Sequence, residues 1–177
     1  MTRSVLLLRA VNLGARNKVP MARLREVLSD RSDLQNVSTY IASGNIICDA
    51  PADVGATCEE VRRLIHDEFG VDTPVVARTH DELVTAVARH PFSQASEKLL
   101  HAMFLAGTPA EGAVDALSER LVPGEKIALI GEDLWISYAE GGVHSTRLSR
   151  AVLDRALGVP GTARNLRTVR TLAELTA

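Results

Sequence analysis

The sequence predicts an α+β protein made of two tandem ferredoxin-like units, each a βαββαβ plait with an antiparallel sheet. Three observations predict this fold. Short apolar runs alternate with stretches of helical periodicity, neighbouring strand-like runs are separated by glycine-containing turns, and the element order of the first half recurs in the second. We therefore expect a first lobe at residues 1–78, a helical connector at 79–100, and a second lobe with a C-terminal helix at 101–177.

The elements of the first unit follow from local signals. Strands are predicted at residues 4–11, 37–42, 45–48 and 73–78. Pro20 suits the first position of the first helix, where its missing N–H costs nothing. Ser43-Gly44 predicts a two-residue hairpin, and Thr57 with Glu60 predicts a capping box for the second helix.

The connector and the second unit repeat this order. Thr79 and Glu82 predict the capping box of the connector helix, and Asn165 is predicted to cap the last helix. Strands are predicted at residues 101–106, 127–130, 134–138 and 162–164. The helix between the first two of these strands is predicted to open with three favourable N-terminal residues, Thr108, Pro109 and Glu111.

Composition narrows the function classes. Of the 177 residues, 46% are hydrophobic and 24% charged, which is typical of a globular protein. The apolar runs are too short to cross a bilayer, and the N-terminus lacks the pattern of a secretory signal, so we expect a cytoplasmic protein with no membrane partner. Cys48 and Cys58 form no CxxC motif and the five histidines are scattered, so no metal site is predicted. The sequence leaves the question of a cofactor open.

The charges are unevenly distributed along the chain. Net charge is −2, but residues 1–25 carry six basic side chains and no acidic one. Residues 141–177 have a net charge of +4, and the stretch between the two has a net charge of −12. Such asymmetry creates a local positive field, unless the acidic and basic surfaces pair with each other.

A first polar cluster is expected where the loop after the first strand meets the first hairpin. Both connections lie at the same end of the predicted plait, beside the N-terminus of the first helix, which favours an anion. The candidate ligand-binding residues there are Arg9, Asn12, Asn17, Lys18, Ser43 and Asn45. The alternative is that the asparagines and the hairpin serve only as turns.

A second polar cluster is expected where the third and fourth strands of the second unit end. Its candidate ligand-binding residues are Thr146, Arg147, Arg164, Asn165 and Thr168. The alternative is that Thr146 and Asn165 are only helix N-caps and that the arginines cover apolar surface.

Several motifs resemble one known family. They are LLRAVNLG at 7–14, NKVPM at 17–21, TYIASGN at 39–45, TRL at 146–148, LGV at 157–159 and TARN at 162–165. Together they are similar to the bacterial family called domain of unknown function 1697. The resemblance implies a two-lobed ferredoxin-like architecture and no established activity. Ala10 stands where that family usually has Gly, and Leu166 where Trp is common, so a stacking aromatic is absent there.

The favoured function is a binding module for a phosphate-bearing or otherwise anionic small molecule, because arginine engages oxyanions in bidentate pairs. Nucleic acid is a weaker form of this hypothesis, since aromatic residues make up only 3% of the chain. The alternatives are an enzyme acting on a small phosphorylated or acyl substrate and an interaction or oligomerisation protein. The sequence does not decide whether the chain is an enzyme, and it leaves the oligomeric state open.

Overall fold

The structure is a computed structural model that describes residues 2–177. This part of the chain forms an α+β protein with two four-stranded antiparallel sheets and six α-helices. Its contacts divide the chain into two compact units, residues 1–84 with 172–177 and residues 85–171. The predicted lobe boundaries at residues 78 and 100 are a finer division and stay a prediction. None of the described helices is long and apolar enough to cross a membrane.

The first sheet has the strand order β2-β3-β1-β4, and every neighbouring pair is antiparallel, as predicted. Its strands are β1 (Arg3–Leu8), β2 (Ser38–Tyr40), β3 (Asn45–Asp49) and β4 (Val75–Thr79). The helices that accompany it are α1 (Met21–Arg31), α2 (Val54–Phe69) and α3 (His80–Arg89). Alternate strand residues such as Leu6, Leu8 and Ile46 belong to the same buried core as Leu24 of α1 and Val61 of α2, because a strand turns every second side chain to one face.

The second sheet repeats this arrangement with the order β6-β7-β5-β8, again wholly antiparallel. Its strands are β5 (Leu100–Leu105), β6 (Lys126–Ile130), β7 (Asp133–Ser137) and β8 (Gly161–Asn165). The helices are α4 (Ala113–Ser118), α5 (Arg150–Leu157) and α6 (Leu166–Leu175), with a short 3₁₀ turn at Gly142–His144. Met103, Leu134 and Ile136 share a core with Leu117 of α4 and Leu153 of α5.

Two predicted caps are confirmed. The backbone N–H of Thr79 donates to a carboxylate oxygen of Glu82 at 2.8 Å, and Glu82 N–H donates back to the Thr79 hydroxyl at 3.2 Å. The Asn165 side-chain oxygen accepts from Thr168 N–H at 2.9 Å at the start of α6. In both places the capping residue ends a strand and the helix follows at once, so the local signal and the chain path agree.

Other predicted helix starts are wrong. Helix α2 begins three residues before Thr57, because the Asp53 side chain accepts the Ala56 N–H at 2.9 Å and caps the helix earlier. Helix α4 begins after Gly112, not at Thr108. The residues before α4 are held elsewhere, since Ala110 N–H donates to the Leu157 carbonyl at 2.8 Å.

The first strand and the first hairpin also differ from the prediction. Strand β1 ends at Leu8 rather than at residue 11, because Ala10 turns the chain with a φ of 52°. The β2–β3 connection has four residues, 41–44, rather than two. Pro20 is the N-cap of α1 rather than its first helical residue, with an extended ψ of 122°.

The structure reveals one residue-level repeat between the two units. Arg78 is the fourth residue of β4, and Arg164 is the fourth residue of β8. Each pairs with the third residue of the first strand of its own sheet, and each is buried. Each also stands between an alanine and a helix-capping residue, Thr79 or Asn165. The two units therefore share this position as well as their element order.

Candidate functional site

The loop that follows β1 is fixed to the sheet through its backbone. Arg9 N–H donates to the Thr73 hydroxyl at 2.9 Å, and that hydroxyl donates to the Arg9 carbonyl at 2.8 Å. Thr73 is buried, so this pair of bonds sets the point at which the chain leaves β1. The Arg9 side chain does not line the groove described below.

Asn12 ties the loop to two other segments. Its side-chain amide donates to the Val19 carbonyl at 2.9 Å and to the Ala42 carbonyl at 2.7 Å, and its side-chain oxygen accepts Val19 N–H at 2.9 Å. Both amide hydrogens and the amide oxygen are therefore used internally. Asn12 and Asn17 both have positive φ, which asparagine tolerates better than most residues. Asn17 donates only to the Ala10 carbonyl, at 3.2 Å.

Ser43 and Asn45, the two predicted site residues of the hairpin, bond to each other within it. Asn45 is fully buried, and its amide donates to the Tyr40 carbonyl at 2.9 Å and to the Ser43 hydroxyl at 3.1 Å. Next to them, Gly44 has a φ of 84°, and a Cβ there would lie 2.7 Å from the Leu8 side chain. The hairpin is thus closed by a buried asparagine and a close backbone approach.

An open groove of about 690 Å³ lies between this loop, the start of α1 and the first hairpin. We call it the α1 groove. Its lining residues are Asn12, Lys18, Val19, Pro20, Met21, Arg25, Thr39, Ile41 and Ala42. Two of the six candidates in the first predicted cluster, Asn12 and Lys18, line it. The others shape the loop and the hairpin around it.

The start of α1 leaves its first N–H groups without a side-chain cap. Pro20 provides no capping side chain, and no acidic residue stands in the first turn. Uncapped N–H groups and the helix dipole give this end of a helix a partial positive charge. Lys18 is exposed beside it, and its ammonium group makes no hydrogen bond or ion pair with any residue in 2–177.

Arg25 and Thr39 belong to the α1 groove but were not among the predicted site residues. The Arg25 guanidinium donates to the Thr39 hydroxyl at 2.6 Å and joins α1 to β2. Arg23 of the same helix instead donates to Glu68 at 2.7 Å and is neutralised. Helical spacing was the signal that could have found Arg25, because it follows Met21 by four positions and shares its face.

The second predicted cluster does not form a comparable arrangement. Arg164 is buried, and burial lowers the pKa of its guanidinium to about 10. It donates to the Thr162 hydroxyl and to the Ala163 carbonyl, both at 2.9 Å. The prediction made Arg164 a ligand-binding residue, whereas the structure buries it, with Ala102 opposite it in the sheet register.

The remaining members of the second cluster serve local structure or are exposed. The Thr146 hydroxyl accepts Leu148 N–H at 3.1 Å, and the N-cap of α5 is Ser149 rather than Thr146. Asn165 and Thr168 are brought together, but as the cap of α6. Arg147 is exposed and makes no side-chain hydrogen bond or ion pair within residues 2–177.

A second, larger groove of about 830 Å³ lies at the other end of the first sheet. Five carboxylates line it, namely those of Asp33, Asp49, Asp53, Glu59 and Glu60. Two of these carboxylates already accept hydrogen bonds within the protein, since Asp53 caps α2 and Asp49 accepts from the Asn36 amide at 2.8 Å. Acidic walls repel an anionic ligand. No group of three or more His, Cys, Asp or Glu side chains in the described residues is arranged to hold a metal ion.

The comparisons with other proteins give a family and a fold. A family model described as "Protein of unknown function (DUF1697)" matches residues 1–135. The conserved bacterial protein SP0830 from Streptococcus pneumoniae has a similar structure, with a TM-score of 0.75 at 20% sequence identity, and the match covers 99% of each chain. No match was found among curated proteins. At this identity the structural likeness speaks for the fold alone.

Proposed function

This chain belongs to the DUF1697 family of proteins of unknown function, and we propose that it is a binding module for a small phosphate-bearing or other anionic ligand. The proposed site is the α1 groove. The observation that carries the proposal is the pairing of Lys18 and Arg25, two cations without a carboxylate partner in residues 2–177, with the uncapped start of α1.

The chemistry of these groups suits an oxyanion. Arg25 offers a planar set of N–H donors, and Lys18 adds a mobile point charge. Thr39 adds a hydroxyl that already bonds Arg25 at 2.6 Å and holds it beside β2. The first N–H groups of α1 complete a set of donors, as at other anion sites on helix N-termini.

The lining favours a small ligand over a nucleic acid. No aromatic side chain among residues 2–177 lines the α1 groove, and recognition of single-stranded bases depends mainly on aromatic stacking. An enzyme and an oligomerisation role stay as alternatives, with no specific contact in their favour.

We extend the proposal to architecture and location. The order β1-α1-β2-β3-α2-β4 with sheet order β2-β3-β1-β4 supports a ferredoxin-like plait in the first unit, and the second unit has the same pattern. Cys48 and Cys58 are both free thiols, which supports a reducing compartment such as the cytoplasm.

The direct test is thermal unfolding with inorganic phosphate, sugar phosphates and nucleotides. A ligand that binds only the folded state at 100 times its Kd stabilises it by about 2.7 kcal/mol, so at least one compound is expected to raise Tm by several degrees. Lys18→Gln should abolish this shift. Arg16→Gln is the matched control, because Arg16 is exposed in the same loop but does not line the groove. A shift that survives both Lys18→Gln and Arg25→Gln would overturn the proposed site.

A further inference from the structure

Ile41 has an unusual conformation for its residue type. It lies in the β2–β3 connection with a φ of 48°, in the left-handed region, and the residue is 50% exposed. A β-branched residue is a genuine outlier there. The conformation costs about 1–2 kcal/mol for a residue with a Cβ.

Neither packing nor turn chemistry explains an isoleucine at this position. Half of its surface is exposed, so it gains only part of the free energy of burial. The backbone conformation would be better served by Asn or Gly, and Gly44 takes the other left-handed position of the same connection. Strained residues that break a local rule without compensation are concentrated at functional sites.

The position of Ile41 gives its exposed surface a context. It lines the α1 groove together with four other apolar residues, Val19, Pro20, Met21 and Ala42. The polar lining consists of Lys18, Arg25, Thr39 and Asn12, and Asn12 uses its whole amide on Val19 and Ala42. What remains for a ligand is two cations and a hydroxyl beside an aliphatic surface.

We propose that the α1 groove binds a phosphate monoester whose organic part is aliphatic, with the phosphate at Lys18 and Arg25 and the carbon chain on Ile41. This inference rests on the proposed function and names its ligand class. A strongly polar organic part, such as a sugar, would leave the aliphatic lining without a partner. A planar base would find no aromatic ring in the lining to stack on.

The test is a calorimetric titration of the full chain with methyl phosphate and hexyl phosphate. Added methylene groups contribute to binding where they leave water for an apolar surface, so hexyl phosphate is expected to bind about tenfold tighter or better. Ile41→Asn keeps a residue that tolerates positive φ and removes the apolar surface. It should reduce this ratio to about two and leave the affinity for methyl phosphate nearly unchanged.

The control variants separate the possible outcomes. Val143→Ser removes a side chain that is also 50% exposed but does not line the α1 groove, and it should leave the ratio unchanged. If Ile41→Asn is poorly folded, Ile41→Gly takes its place. If the two esters bind with equal affinity, or if the preference for hexyl phosphate survives in the Ile41 variants, the aliphatic ligand class is wrong. The anion site would still stand. If neither ester binds, both the anion site and this inference are wrong.

Discussion

The side-chain amide of Asn12 donates to the Ala42 carbonyl at 2.7 Å, and this bond joins the loop after β1 to the first hairpin. The same amide group also exchanges two bonds with the Val19 backbone, each at 2.9 Å. One side chain therefore fixes three segments that line the α1 groove. Asn12 therefore holds the groove in shape, and its amide is already used within the protein.

Asn12→Asp is expected to destabilise the protein by about 2–3 kcal/mol, because a carboxylate lacks the two N–H donors and would face two carbonyl oxygens. Urea unfolding measures this change. Asn17→Asp is the matched control, since Asn17 is exposed with similar φ and its side chain makes one hydrogen bond, of 3.2 Å. We expect Asn17→Asp to lower the free energy of unfolding by less than about 1 kcal/mol. Equal losses in the two variants would contradict the central role of Asn12.

Ile41→Gly and Ile41→Asn are each expected to stabilise the protein by about 1 kcal/mol, because both residues adopt positive φ with little strain. Thermal unfolding without ligand gives the measurement. Gly44→Ala should have the opposite effect, since its Cβ would lie 2.7 Å from Leu8 at a φ of 84°. If both Ile41 variants lower Tm, the strain at this position is wrongly assigned.

Arg164→Gln is expected to destabilise the protein by about 3 kcal/mol, because it removes the guanidinium donor from the buried Thr162 hydroxyl and from the part-buried Ala163 carbonyl. Arg164→Lys should recover little, since an ammonium cannot replace a planar guanidinium. Chemical denaturation is the measurement, with Arg147→Gln as the exposed control within about 0.5 kcal/mol of the wild type. A wild-type stability for Arg164→Gln would contradict its structural role.

Stability is expected to fall as pH drops below about 6.5. Burial lowers the pKa of His90 and of His101, with Arg170 adding to the effect at His90. Glu97 raises the pKa of His90, and a bond to the Lys98 carbonyl raises that of His101, but burial prevails in both. As pH falls, these histidines therefore take up protons in the unfolded chain before they do so in the folded protein. The free energy of unfolding decreases from about pH 6.5 down to the folded-state pKa values.

Urea unfolding between pH 7.5 and 5 tests this expectation. Trp135, the single tryptophan, is a convenient probe because its ring centre lies 5.5 Å from that of His90. His90→Gln with His101→Gln should flatten the pH dependence, whereas His144→Gln, in an exposed loop, should not. An unchanged profile in the double variant would assign the acid sensitivity to other groups.

Nearly all strands and helices could be predicted, because periodicity and turn residues act locally. Helix starts were less predictable, since several residues compete to cap one helix. Thr57 and Glu60 form an acceptable capping box, but Asp53 stands earlier and its carboxylate captures the Ala56 N–H. The start of α4 depends on a bond from Ala110 to Leu157, which no local pattern discloses.

The candidate site was predicted in part for a similar reason. The predicted topology placed the Lys18 loop beside the first hairpin, and in the structure both line the α1 groove. Side-chain direction was the missing information. Arg164 is buried and donates to Thr162 of its own strand, and Asn45 donates within its own hairpin. Arg25 faces the groove from one helical turn further along α1.

The most direct test of the anion site is an amide NMR titration of the ¹⁵N-labelled protein with hexyl phosphate. We expect saturable shifts at the first residues of α1, at Thr39 and at Ile41, and their loss in Lys18→Gln. Amides of residues 146–148 and 165–168 should stay in place. Shifts confined to those residues, or no saturable shift at the start of α1, would contradict the proposed anion site in the α1 groove.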